Sequence, residues 1–168
     1  MDEALIANWN SVVTANDVVI VLGDFSLKKA NELDSIFRRL NGAKCLIKGN
    51  HDNDDACKKL KWQWVKDVHM YNVKGQHIFL SHYPHRSWPR SGNGAWHLHG
   101  HVHSTFRPFG KSLDIGADAW DYTPVSFGEV CKVMDRLPKF NKNVEGLFMP
   151  KGWMFKGRQF NYSEIAKE

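Results

Sequence analysis

The sequence predicts an α/β protein built on parallel strands. Two observations carry this expectation: a strand–helix–strand unit near the start of the chain, and four polar clusters that each follow a strand-like stretch. In the unit, residues 18–22 form a continuous apolar run that reads as a strand buried on both faces. Residues 28–40 follow with Leu33, Ile36, Phe37 and Leu40 at helical period, and Asn41-Gly42 stops that helix before the strand 43–47. A right-handed crossover of this kind pairs its strands in parallel, so their ends lie side by side. The clusters are Gly23-Asp24, Gly49-Asn50-His51-Asp52, Ser81-His82 and Gly100-His101-Val102-His103. Their placement predicts that all four sit on the carboxyl edge of one sheet.

The other elements follow from periodicity and turn chemistry. Residues 2–14 carry Leu5, Ile6, Trp9, Val12 and Val13 at the spacing of an amphipathic helix, and a short helix is expected over 54–61. Residues 65–73 and 76–80 flank Lys74-Gly75 as the arms of a hairpin. The stretch 84–94, with Pro, Gly, Ser and Arg, reads as a loop. Strands are expected over 96–99 and 111–115, and a last helix over 126–137. Residues 1–137 therefore make one domain, and the poorly patterned 138–168 an irregular C-terminal extension.

Composition narrows the class. Of 168 residues 42% are hydrophobic, yet no apolar run approaches the about 18 residues of a membrane span, which excludes a membrane protein. No segment has the charged-then-apolar pattern of a signal peptide, so a cytoplasmic location is expected. Cys45, Cys57 and Cys131 are odd in number and scattered, which suits a reducing compartment and excludes a thiolate zinc site. The net charge of +5, from 23 basic and 18 acidic residues, favours phosphate esters and nucleic acid as partners. Ordinary solubility explains the same charge equally well.

One carboxylate, one amide oxygen and several imidazoles at strand ends are donors for first-row metal ions. Alone, Asp24 reads as a helix cap and Asn50-His51-Asp52 as a polar turn; the ordered set outweighs both readings. In order, Gly23-Asp24, Gly49-Asn50-His51-Asp52, His82 and Gly100-His101-Val102-His103 resemble the later signature blocks of the calcineurin-like metallophosphoesterase family. The segment 114–127, with Gly116-Ala117-Asp118 and then Asp121-Tyr122-Thr123-Pro124-Val125-Ser126, resembles the end of its small bacterial and phage members. The resemblance implies a four-layer α/β/β/α sandwich with two divalent ions (Mn, Fe, Co, Ni or Zn) at the strand ends. It implies hydrolysis of a phosphate ester, as a phosphodiesterase on a nucleotide or small phosphodiester. Asp24 would bridge the ions, Asn50, His82 and His101 would complete the second, and His103 would belong to the first. Attack by a metal-activated hydroxide would be assisted by His51 at the leaving oxygen, with Asp52 orienting His51. On an extended strand the i, i+2 spacing of His101 and His103 aims both imidazoles the same way.

The chain departs from that family in one respect. The family opens on a strand ending in Asp-x-His, and no such pair stands before Asp24. The first ion is then left with Asp24 and His103, so one ion is expected to bind tightly and the other weakly. A weak or inactive relative, serving as a metal- or nucleotide-binding module, is the alternative reading. Loss of the first strand would also open the sheet edge beside residues 18–22, for a second copy of the chain, as a homodimer, or a swapped segment to cover. Arg86, Trp88 and Arg90 follow His82 on a loop expected to overhang the site, where arginine holds phosphate and tryptophan stacks a base. The competing reading is a surface loop anchored by one tryptophan. Trp62, Trp64, Trp96 and Trp120 are expected in the core, and His97 and His99 as packed strand residues. His69, His77 and His85 have no motif behind them.

Overall fold

The structure, a computed structural model, describes residues 2–26, 30–52 and 59–138. Helix α1 (Asp2–Val12) buries Ile6, with Val13 just beyond its end, but leaves Leu5 and Val12 exposed. Its polar side chains tie it to the end of α2 (Ala30–Arg39): Trp9 Nε1 donates to Asn41 O at 3.0 Å, and Asn10 bonds both Arg39 O and Asn41 N.

The crossover unit forms as expected. Strand β1 (Val18–Val21) pairs in parallel with β2 (Ala43–Ile47), from Val18 opposite Ala43 to Val21 opposite Leu46. A two-residue strand β3 (Val65–Lys66) adds in parallel on the far side of β2, giving the order β1-β2-β3. The central β2 is buried, with Leu46 and Ile47 fully so, but β1 is not buried on both faces. Among the described residues it is the sheet's edge; Val18 is 60% exposed and Val19 to Val21 are only half-buried.

The second sheet has the order β4-β5-β6-β7, formed by β4 (Val68–Val73), β5 (Gln76–Ser81), β6 (Trp96–His99) and β7 (Ser112–Asp114). β4 and β5 are the expected antiparallel hairpin. Lys74 and Gly75 both have positive φ, 51° and 88°, as a two-residue type I′ turn requires. β5, β6 and β7 run parallel.

Two expectations need correction. The single arm expected over 65–73 divides at Asp67, its first two residues joining one sheet and the rest the other. Lys66 and Asp67 put two polar residues in succession at this corner, so the apolar alternation shifts phase between Val65 and Val68. Consequently the four polar clusters lie at the strand ends of two sheets, not one: Asp24 and Asn50 follow β1 and β2, while His82 and His101 follow β5 and β6.

One apolar cluster joins the sheets. Leu22 and Ile47 of the first meet Ile78, Leu80, Leu98 and Leu113 of the second. Helix α3 (Phe127–Arg136) adds Val130, Val133 and Met134 to the same cluster. Its start is set by a capping box in which Glu129 N–H donates to Ser126 Oγ and Ser126 N–H to Glu129 Oε2. The Lys111 ammonium donates to Met134 O in its last turn, where a cation complements the helix dipole. The alternate residue of β5, Phe79, points the other way, into a second cluster with Trp88 and Ala95.

The chain is thus an α/β protein with two mostly parallel sheets and three helices among the described residues. No helix of these residues is long and apolar enough to cross a membrane. Most of the helix expected over 54–61, and the extension from 139 onward, lie outside the described residues.

Candidate metal centre

Two glycines let the strand-end loops of the first sheet touch each other and the second sheet. Gly23 has φ +90°, and a Cβ there would stand 2.3 Å from His82 Nδ1 and 2.7 Å from Gly49 Cα. A Cβ on Gly49 would stand 2.3 Å from Asp24 Oδ1. Such separations are far inside contact distance, so both positions exclude a side chain. Asp24 itself has φ 52°, and its conformation is held by its neighbours' amides. Asp52 Oδ2 accepts from Asp24 N–H and Gly49 N–H, both at 2.8 Å, and Oδ1 accepts from Phe25 N–H at 2.9 Å. The expectation that Asp52 orients the His51 imidazole is therefore corrected. Its carboxylate is taken up by three backbone amides, and the residue it positions is Asp24. His51 N–H donates to Asp24 Oδ1 at 2.8 Å, and the side chain is exposed.

The second sheet contributes His82, which is 2% exposed. Its Nδ1 lies 2.7 Å from Leu22 O. A carbonyl oxygen only accepts, so Nδ1 carries a proton, and it is Nε2 that a neutral ring would offer to a metal. That nitrogen faces Asn50 Oδ1 at 3.0 Å, His101 Nδ1 at 3.1 Å and Asp24 Oδ2 at 3.3 Å. The ligating atoms of Asp24, His82 and His101 all lie within 4.8 Å of one another. A divalent cation among them would satisfy all four donors at once. The spacing agrees: ligands about 2.1 Å from an ion stand about 3.0 Å apart at right angles and about 3.4 Å apart in a tetrahedron. The donor set fits a divalent ion. Tyr83, 46% exposed, closes the outer side, its ring edge-on to His82 at 5.0 Å and to His101 at 4.6 Å.

Not every expected residue joins this group. Strand β6 ends at His99, and His101, His103 and Ser104 have φ of 69°, 48° and 58°. The extended i, i+2 geometry expected for His101 and His103 is therefore absent, because the chain turns between them. His103 is exposed, with Nδ1 2.9 Å from Asp118 Oδ2, and stands outside the Asp24–His82–His101 group. Trp88 is 4% exposed, donates from Nε1 to Ala95 O at 2.8 Å and packs on Phe79. It anchors its loop from beneath and offers no face for a base, so the stacking expectation is corrected. Arg86 and Arg90 on the same loop are exposed.

No family model matches the chain. The uncharacterized protein MJ1445 of Methanocaldococcus jannaschii is 30% identical over 145 residues, which cover 81% of this chain and 76% of that protein. The chain belongs to the family of MJ1445. The Gene 66 protein of Mycobacterium phage L5 is 31% identical over 154 residues, covering 71% of this chain and 74% of that protein. The crystal structure of AQ665 from Aquifex aeolicus, a protein of unknown function, superposes with a TM-score of 0.62 at 26% identity. That match covers 79% of this chain and 84% of the other.

In this member of the MJ1445 family the other strand histidines are structural, as expected. His97 is fully buried, donates from Nδ1 to Phe79 O at 3.1 Å and accepts His85 N–H at Nε2 at 3.0 Å. Burial pushes its pKa down to about 3, and burial also lowers that of His99. Both rings are neutral packing groups. Three participants escaped the sequence reading. Tyr83 had a signal in its adjacency to His82, and Asp118 in its place in the Gly116-Ala117-Asp118 segment; the Leu22 carbonyl had none, since only the folded chain brings it to an imidazole.

Proposed function

We propose that the chain is a metal-dependent phosphoesterase, acting as a phosphodiesterase on a nucleotide or other small phosphodiester. In this reading its two sheets are the inner layers of the four-layer sandwich of the calcineurin-like metallophosphoesterases it resembles. The observation that carries the reading is the convergence of Asp24, Asn50, His82 and His101 on one point from four strand ends. A divalent ion bound there supplies Lewis acidity, polarising a phosphoryl oxygen and making water a nucleophile near neutral pH.

The chain's own residues do the rest. The Leu22 carbonyl holds His82 with Nε2 inward, and Asp52 holds Asp24 in its left-handed conformation. His51, exposed beside Asn50 and held through its backbone to Asp24, delivers a proton to the leaving oxygen. Arg86 and Arg90 present guanidinium groups on the loop that leaves His82, where they steer and hold a phosphate. The exposed ring of Tyr83, not Trp88, is the aromatic surface a base or aromatic leaving group meets. The position of His103 outside the group favours one tightly held ion and a second held weakly.

Hydrolysis of bis(p-nitrophenyl) phosphate is expected with Mn²⁺, and is expected to vanish with chelator and in Asp24→Ala and His101→Ala. His51→Ala should keep its bound metal and lose about 10²–10⁴-fold in rate, more for an alkoxide than for a nitrophenolate leaving group. Activity that survives chelation and both ligand substitutions refutes the reading.

A further inference from the structure

Asp118 belongs to the Gly116-Ala117-Asp118 segment, and nothing in the reaction outlined above uses it. It lies in the 3₁₀ turn Ala117–Trp120 that follows β7, with its side chain 15% exposed, and His103, 74% exposed, leans on it. A carboxylate accepts and cannot donate at neutral pH. The 2.9 Å contact from His103 Nδ1 to Asp118 Oδ2 therefore places a proton on Nδ1, so that in the neutral ring Nε2 is the nitrogen without one. We propose that Asp118 is a positioning residue that holds His103 in this tautomer, so that Nε2 is the nitrogen His103 offers to the second, weaker divalent ion of the phosphoesterase reading. The metal part of this inference rests on the functional reading above; the tautomer part does not.

The surroundings are built for the contact. His101, His103 and Ser104 all have left-handed backbone, a conformation that is costly for non-glycine residues and persists only where neighbours enforce it. Asp114, 1% exposed, supplies one restraint: Oδ2 accepts Ser104 N–H at 2.9 Å, and Oδ1 accepts Gly116 N–H at 2.8 Å. Asp118 supplies the other, on the side chain. Gly116 lets the two carboxylates flank the turn, since a Cβ there would stand 3.0 Å from Asp118 Oδ1 and 3.1 Å from Asp114 Oδ1. The division of labour follows: Asp114 shapes the backbone of the histidine turn, and Asp118 chooses the nitrogen that His103 offers. A surface ion pair alone would add little stability, whereas a carboxylate that fixes a ligand's tautomer typically changes metal affinity about 10–100-fold.

The test has two arms on the whole chain. In metal-free protein at mildly alkaline pH, ¹⁵N chemical shifts of the His103 ring should report the Nδ1–H tautomer. That signature should be lost in Asp118→Ala and largely kept in Asp118→Asn, whose amide oxygen still accepts. Mn²⁺ titration should then give one tight equivalent and one weaker one. Asp118→Ala should weaken only the second, by about 10–100-fold. An Nε2–H His103 in the wild type, or the same tautomer in Asp118→Ala, overturns the proposal. So does a second equivalent that Asp118→Ala leaves unchanged, or a loss shared equally with the tight one. A wild type that binds no Mn²⁺ at all sinks the phosphoesterase reading and the ligand role together, while the tautomer arm still decides what Asp118 does.

Discussion

Acid should destabilise this protein through His97, by an amount the structure lets one work out. The ring is fully buried between strands, both nitrogens are used as a neutral imidazole uses them, and burial lowers its pKa to about 3. In the unfolded chain the value returns to about 6.5. Between those limits the unfolded state binds the extra proton, so the contribution is fully present above about pH 6.5 and is lost as pH falls toward 3. A single such group removes up to about 1.4 kcal/mol per pH unit, and integration gives a loss of about 2 kcal/mol between pH 8 and pH 5. Urea unfolding of wild type and His97→Gln at several pH values measures this directly. Glutamine donates and accepts like a neutral imidazole but does not titrate, so the comparison uses slopes and not absolute stabilities. Contributions from His99 and the other histidines run in both proteins and largely cancel. The stability gap between the two should narrow by about 2 kcal/mol on going from pH 8 to pH 5. A gap that stays constant across that range would refute the assignment of His97 as a buried neutral group.

Two further outcomes test the site and its supporting loop. Gly49→Ala forces a Cβ to within 2.3 Å of Asp24 Oδ1, so calorimetric titration should show the tight Mn²⁺ equivalent weakened at least tenfold; unchanged affinity would mean that the two loops do not touch. Trp88→Ala should lower stability by about 3–5 kcal/mol, visible as a fall in Tm. It should do so with no selective rise in KM for base-containing substrates over nitrophenyl esters, and a selective rise would return Trp88 to the substrate.

The parts of this fold that local chemistry determines were legible in the sequence. Ser126 and Glu129 cap a helix within one turn, and Lys74-Gly75 makes a hairpin by its own backbone preferences. The parallel pairing of β1 and β2 also followed from one short unit. What stayed hidden depends on which surfaces meet. The corner at Asp67 sends one stretch into two sheets, and its one local sign, the polar pair Lys66-Asp67, is equally compatible with a single exposed strand. Asp52 looked like a partner for the adjacent imidazole because sequence displays neighbours, whereas its carboxylate serves amides at positions 24, 25 and 49. His103 looked like a twin of His101 because only Val102 separates them in sequence, but the backbone at both is left-handed and their rings meet different partners, His82 and Asp118.

The donor group is for this reason a property of how the two sheets meet. Asp24 and Asn50 close on each other through Gly23, Gly49 and Asp52, all within the first sheet's loops. They become half of a candidate metal site only where His82 of the second sheet donates to Leu22 O just past the end of β1. That one hydrogen bond does two jobs. It ties β5 to the end of β1 beside the apolar contact of Leu22 with the second sheet, and it sets the His82 tautomer that turns Nε2 inward. A bond between the sheets thus also aims His82 Nε2 at Asp24, Asn50 and His101, so the donor group comes together when the sheets pack and not before.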